Sequence, residues 1–298
     1  MNEPLFSDDF PAVTSNEGLA AAFARYPNYD RYYVSSGSVP DRRKRFEALW
    51  QAYWPYADSH FLGQYKHAFH ARTWEMYLGA MLLMHGYQLE PAARRPSRGG
   101  GPDICVIAPT GAWIEAVAPG PGVTGDAVPP DPVGQVFSPP EDQLLLRLTQ
   151  AMDSKRQQHQ HHRDSGVIGA GDAYVVAVNG GIRGPQSAQL PLMLKCLFGI
   201  GHLAIPLSGG EPYWTSRRAI NKQSGDPVPI ALFEDTAYGG ISAAIYSEAN
   251  VLNHSKELGA DCMMIHNPEA LNPIADGAFA FMEQWRRVGD QLRRSPPR

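Results

Sequence analysis

The stretch GPDICVIAPTGAWIEAVAP, residues 101–119, decides the predicted fold. Two apolar runs within it are separated by Thr110–Gly111, and this spacing predicts a β-hairpin. Asp103 opens the first strand and Glu115 lies inside the second. A carboxylate in an apolar strand is costly to bury unless it is paired or binds a cation. The hairpin therefore carries the first candidate functional residues.

Helical and strand patterns flank the hairpin on both sides. Apolar residues at helical spacing predict helices over residues 40–55, 68–85 and 141–164. The continuous apolar run at residues 173–178 is typical of a strand buried on both faces. This order predicts an α/β fold built on a mixed sheet.

The rest of the chain shows weaker patterns. Residues 1–38 have no clear period, and we expect an N-terminal arm or irregular cap. Residues 39–298 are expected to form a single α/β domain with a core at about 68–206 and a C-terminal strand extension. Further expected elements are a short buried helix over 190–200, strands near 203–207, 230–234, 241–246 and 261–266, and a last amphipathic helix holding Phe279, Met282 and Trp285.

Composition restricts the function classes. The 298 residues are 43% hydrophobic and carry a formal net charge of −4, so the chain is globular and is not a uniformly basic nucleic-acid binder. The three cysteines form no C-x-x-C pair, which argues against a disulfide framework or a structural zinc site. No signal peptide or membrane-spanning segment is visible, so we expect a cytoplasmic protein with no membrane partner.

Carboxylates that converge at a strand end suit Mg²⁺, which prefers oxygen ligands. Asp103 and Glu115 are the candidate metal ligands, and Glu75 on the preceding helix could supply a third acid. The histidines of QQHQHHRD, residues 157–164, do not share one helical face, and a solvated helix end is expected there.

The order of these blocks resembles the PD-(D/E)XK nuclease superfamily, and in particular an uncharacterised bacterial branch with restriction-endonuclease-like folds. The resemblance covers roughly residues 68–202. It is carried by RTWEMYLGAMLL, GPDICVIAPTGAWIEAVAP, LLLRLTQAMDSK, AYVVAVNG and LKCLFGIG, with a looser similarity at ISAAIYS and MMIHNPEA. It implies a restriction-endonuclease-like mixed sheet flanked by helices.

The resemblance also implies metal-dependent phosphodiester hydrolysis, with DNA as the partner. Asp103 would be the first motif acid, Glu115 the second and Glu75 the optional helix acid. Asp103 and Glu115 would hold Mg²⁺ or Mn²⁺, which stabilises charge on the scissile phosphate. A homodimer is compatible with this assignment.

The chain departs from the motif at its lysine. That position, two residues after the second acid, is Val117, and no lysine lies between Lys66 and Lys155. Lys155 on the long helix is the favoured replacement, and Arg147 could instead clamp phosphate. The candidate substrate-binding cations are Arg94, Arg95, Arg98 and Arg147.

The missing strand lysine leaves two other functions open. One is a catalytically degenerate binding or assembly protein with the nuclease fold. The other is a hydrolase of a small phosphorylated substrate, which suits the acidic net charge better than a large DNA footprint does. Whether the chain is an enzyme depends on whether a cation reaches the two acids.

Overall fold

A computed structural model describes residues 3–6, 8–95, 100–130, 132, 138–181, 190–250 and 255–298. These residues form a mixed α/β structure with a large sheet flanked by helices. The helices are α1 (Asn16–Arg25), α2 (Arg31–Ser38), α3 (Pro40–Tyr53), α4 (Phe61–Tyr65), α5 (Phe69–Met84), α6 (Glu141–Asp164) and α7 (Leu192–Phe198). The strands are β1 (Gln88–Leu89), β2 (Ile104–Ala108), β3 (Ala112–Val117), β4 (Tyr174–Asn179), β5 (Ile200–Ala204), β6 (Tyr213–Ser216), β7 (Ala219–Asn221), β8 (Pro227–Pro229), β9 (Ala243–Ser247), β10 (Met263–His266), β11 (Glu283–Val288) and β12 (Gln291–Ser295).

The main sheet has eight strands in the order β1-β2-β3-β4-β9-β10-β11-β12. β2 and β3 pair antiparallel, whereas β3, β4 and β9 run parallel at its centre. β5–β6 and β7–β8 form two small antiparallel sheets. The expected mixed sheet and the β2–β3 hairpin are confirmed.

The sheet separates two hydrophobic cores because side chains alternate along each strand. In β3, Ile114 packs with α5 on one face, while Trp113 and Val117 belong to the core on the α6 face. Glu115 has the same parity as Trp113 and therefore belongs to the α6 face. All six residues of β4 are buried, as its apolar run predicts.

The described residues between 3 and 38 do not form an irregular arm, because two helices and buried aromatic residues tie them to the core. They contain α1 and α2, and Phe6, Phe10 and Tyr33 are buried in the same core as α3 and α5. The carboxylate of Glu47 accepts hydrogen bonds from the backbone of Leu5 and Phe6. The aromatic residues pack edge to face on α3–α5, so they leave no helical stripe in the sequence.

Two C-terminal predictions are wrong. The expected last helix is the strand β11, which contains Trp285 and pairs with β10 and β12. Phe279 has a φ of 56°, which ends any helix through this segment. The strand expected near 230–234 is a 3₁₀ turn, Leu232–Glu234, because the chain reverses there beside α7. Within the described residues, no helix has the length and apolar character needed to cross a bilayer.

Candidate functional site

The hairpin register places the two strand acids side by side. Ile104 of β2 pairs with Ile114 of β3, so Asp103 lies opposite Glu115. Asp103 Oδ2 accepts a hydrogen bond from the backbone N–H of Ala116 at 2.7 Å. This bond fixes the position of the carboxylate. It also satisfies the N–H of Ala116, which lies past Ile114, the last β3 residue paired with β2.

Helix α6 brings a cation to these acids. The Lys155 Nζ lies 2.6 Å from Glu115 Oε1; the side chain of Glu115 is buried, whereas that of Lys155 is partly buried. Lys155 also donates to the side-chain oxygen of Gln158 at 2.8 Å. The other carboxylate oxygen, Glu115 Oε2, is buried and has no hydrogen-bond partner. The site therefore combines an ion pair with one unused ligand atom.

The electrostatics of the site follow from its burial. Desolvation, followed by the negative charge of Asp103, raises the pKa of Glu115 to about 7, against the opposing effect of Lys155. Burial also raises the pKa of Asp103, opposed by Lys155 and by the Ala116 N–H bond. A cation near both groups would favour their charged forms and lower both pKa values.

Glu75 lies on α5, at the edge of the same group of acids. Its Oε1 accepts from the Tyr53 hydroxyl at 2.8 Å, and its Oε2 lies 2.6 Å from Arg72 Nη1. Burial and then the charge of Asp103 raise the pKa of Glu75 to about 8, although Arg72 and the Tyr53 hydroxyl oppose the rise. Glu75 and Asp103 both line a cavity of about 720 Å³.

The two strand acids fit a Mg²⁺ ion. Over the described part of the chain, no group of three or more His, Cys, Asp or Glu side chains could hold a metal. Mg²⁺ usually keeps several waters and needs only one or two protein carboxylates. The buried, unpartnered Glu115 Oε2 beside Asp103 supplies that kind of donor set.

The four arginines expected to bind substrate have different roles or positions. Arg95 donates to the backbone carbonyls of Pro102 and Tyr56, so it positions the segment before Asp103, and it also lines the cavity that Asp103 lines. Arg94 is exposed at the end of a 3₁₀ turn. Arg147 lines a separate cavity. Arg98 lies outside the described residues.

Sequence reasoning missed three residues of the site. His162 is buried rather than at a solvated helix end, and its Nε2 lies 3.9 Å from Glu115 Oε2. Burial, and then the charges of His161 and Lys155, lower the pKa of His162. Its seven-residue separation from Lys155 places both on one helical face, a signal present in the sequence. Tyr53 and Arg72, which hold Glu75, are the other two.

Neither a protein-family model nor a curated protein nor a solved structure matches the chain. A functional assignment therefore depends on the geometry of the Asp103–Glu115–Lys155 site and on the resemblance of its sequence blocks.

Proposed function

We propose that the protein is a Mg²⁺-dependent phosphodiesterase with a restriction-endonuclease-like fold of the PD-(D/E)XK type, and that its substrate is DNA. The observation that carries the proposal is the 2.6 Å contact between Lys155 Nζ and Glu115 Oε1, with Asp103 opposite Glu115 on the neighbouring strand. Two acids and a lysine are the groups that metal-assisted phosphodiester hydrolysis requires.

Each residue has a distinct role in this proposal. Asp103 and Glu115 would hold Mg²⁺, which supplies a Lewis acid when bound. Lys155 balances the charge of Glu115 and orients its carboxylate. Glu75, held by Tyr53 and Arg72, places a third carboxyl group near Asp103 at the cavity wall.

The position of Lys155 favours an active enzyme over a degenerate binding protein. Val117 lies two residues after Glu115 on the same strand face and is apolar. Lys155 reaches Glu115 from the helix that covers this face, so its ammonium replaces the one missing from the strand. A protein without catalytic function would have no need to bury an ion pair beside two further acids.

The cavity lined by Glu75 and Asp103 also suits a second substrate class. Its volume of about 720 Å³ lies within the range of sites for small molecules. A small phosphodiester would therefore fit against Asp103 without a long nucleic-acid surface. DNA is proposed first because the resembling superfamily acts on it.

The experiment compares three substrates with the purified protein: plasmid DNA, a single-stranded RNA and bis(p-nitrophenyl) phosphate, each with Mg²⁺ or Mn²⁺. We expect cleavage of DNA, and a loss of at least about a hundredfold in Asp103→Asn and Glu115→Gln. Cleavage of only the small diester would select the small-substrate function. The proposal fails if no substrate is cleaved with either metal, or if both variants cleave as the parent does.

A matched variant separates loss of catalysis from loss of stability. Lys195 is a second buried lysine, and its Nζ lies 2.7 Å from Glu141 Oε2, outside the site. Lys155→Met should abolish cleavage, whereas Lys195→Met should retain it at temperatures where both variants are folded. Equal losses in the two variants would mean that Lys155 acts through stability alone.

A further inference from the structure

A second cavity, of about 670 Å³, lies on the other side of α6 from the two acids. Leu146 lines it, and Leu146 is nine positions from Lys155, so the two side chains project in opposite directions, roughly 180° apart around the helix. The opposing walls come from β8 and from the 3₁₀ turn Thr236–Tyr238. Clefts of roughly this volume hold small ligands.

Two cations at this cavity have no acidic partner among the described residues. They are Arg147, whose buried Nε makes no hydrogen bond, and Lys222. The Arg147 guanidinium passes close to Gly122, where a Cβ atom would lie 2.6 Å from Nη1. A partly desolvated guanidinium without a counter-ion favours an anion, and its planar fork suits phosphate oxygens.

The acids that line the same cavity are already engaged. Asp153 accepts from Arg156 and Gln157. Asp126 accepts from the backbone N–H of Gln223, and Asp235 from that of Ala237. Among the described residues, none of these three carboxylates forms an ion pair with Arg147, so its guanidinium has no bound counter-ion at the cavity.

The remaining wall is aromatic and apolar. The guanidinium of Arg156 lies over the ring of Tyr238, 5.5 Å from its centroid. Leu232, Val228 and Leu146 complete this side. A ligand that fills the cavity would therefore carry an anionic group at one end and a planar, apolar body at the other.

We propose that this cavity binds a mononucleotide, with its phosphate on Arg147 and Lys222 and its base against the planar guanidinium of Arg156, which lies over the ring of Tyr238. Phosphate suits the two unpaired cations, and bases stack on guanidinium planes as they do on aromatic rings. The site is separate from the Asp103–Glu115 pair, because α6 lies between them. It does not depend on the proposed hydrolysis.

Isothermal titration calorimetry of the full chain in EDTA tests this site. The probes are AMP, adenosine and inorganic phosphate. We expect AMP to bind more tightly than either of the others, and Arg147→Met and Lys222→Met each to weaken AMP about ten- to a hundredfold. Lys44→Met removes an exposed lysine of α3 and should bind AMP as the parent does.

Each other outcome overturns the inference. Phosphate that binds as tightly as AMP would show an anion site without a base pocket, and adenosine that binds as tightly would show that the cations take no part. Absence of AMP binding, or unchanged binding in Arg147→Met and Lys222→Met, would also reject it. Glu115→Gln distinguishes the two proposals: it should abolish cleavage and leave AMP binding intact, and loss of AMP binding would place the nucleotide at the acids.

Discussion

Replacing Lys155 with methionine is expected to destabilise the protein in a way that grows with pH. Methionine fills much of the space of the lysine stem but carries no charge. Glu115, which is 6% exposed, then has no counter-ion, and its second oxygen already lacks a hydrogen bond. Removing one partner of a buried ion pair typically costs about 3–5 kcal/mol.

The pH dependence follows from the raised pKa of Glu115. In the folded parent this pKa is about 7, against 4.5 for an ordinary glutamate. Such a carboxyl reduces stability as pH rises from 4.5 to 7, because the unfolded chain ionises first. Without Lys155 the folded pKa rises further, and the loss continues above pH 7. The penalty should therefore reach about 3–5 kcal/mol at pH 9 and remain below about 1.5 kcal/mol at pH 5, where the carboxyl is protonated in both proteins.

Urea unfolding at pH 5 and pH 9 measures both values. Lys195→Met is the control, because the side chain of its partner Glu141 is 26% exposed, against 8% for Glu115. Its penalty at pH 9 should be smaller than that of Lys155→Met. The double variant Glu115→Gln/Lys155→Met should recover most of the lost stability, since it removes the carboxylate that lost its counter-ion. Equal penalties for Lys155→Met at the two pH values, or a double variant no more stable than the single one, would refute the reasoning.

The remaining predictions concern the helices α4 and α5. Burial and the charge of Asp103 hold the pKa of Glu75 at about 8, so the parent loses stability between pH 4.5 and 8. Glu75→Gln has no such carboxyl group. Between pH 5 and pH 9, its free energy of unfolding should therefore rise by about 3–5 kcal/mol relative to that of the parent, as measured by urea unfolding. An unchanged difference would contradict this. Gly79→Ala would place a methyl group into the Tyr53 ring and should destabilise the protein by about 1–3 kcal/mol. Gly63→Ala, whose added methyl group meets nothing within 4 Å, should stabilise it by about 0.5–1 kcal/mol. Thermal melts that rank the two variants in the opposite order would show that the Tyr53 ring moves freely.

The β2–β3 hairpin could be predicted because its signals are local. Two short apolar runs and the turn at Thr110–Gly111 specify the pairing without reference to the rest of the chain. The helix predicted over 68–85 is observed as Phe69–Met84, since its apolar residues face one core. Both elements are therefore specified by signals within their own residues.

The C-terminal strand β11 could not be assigned in this way. Phe279, Met282 and Trp285 are spaced three apart, which matches one helical face. The strand forms because β10, about twenty residues earlier, offers a parallel partner edge, and Glu283 pairs with Met263 there. That contact is set by the tertiary fold, which overrides a short local pattern.

The site shows the same division between local and tertiary information. The sequence indicated Asp103 and Glu115, because each lies in or beside an apolar strand, and the resemblance of the sequence blocks pointed to Lys155. The spacing of His162 and Lys155 puts both on one face of α6, but it does not show that this face is buried beside Glu115, because burial depends on how α6 packs on the sheet. Nor did it separate Arg147 from the site, since a helix can present cations to two cavities at once.

Under the proposed function, Lys155 on α6 supplies the ammonium group that the resembling superfamily carries on the strand, and this position has a physical consequence. A lysine at position 117 would be attached to the same strand as Glu115, so the geometry of the pair would be set within β3 alone. Lys155 instead joins Glu115 across the interface between α6 and the sheet. The ion pair therefore forms only when α6 is packed, and the alignment of the acids depends on the core formed by Trp113, Val117 and the leucines of α6. Activity and the packing of α6 should thus be lost together.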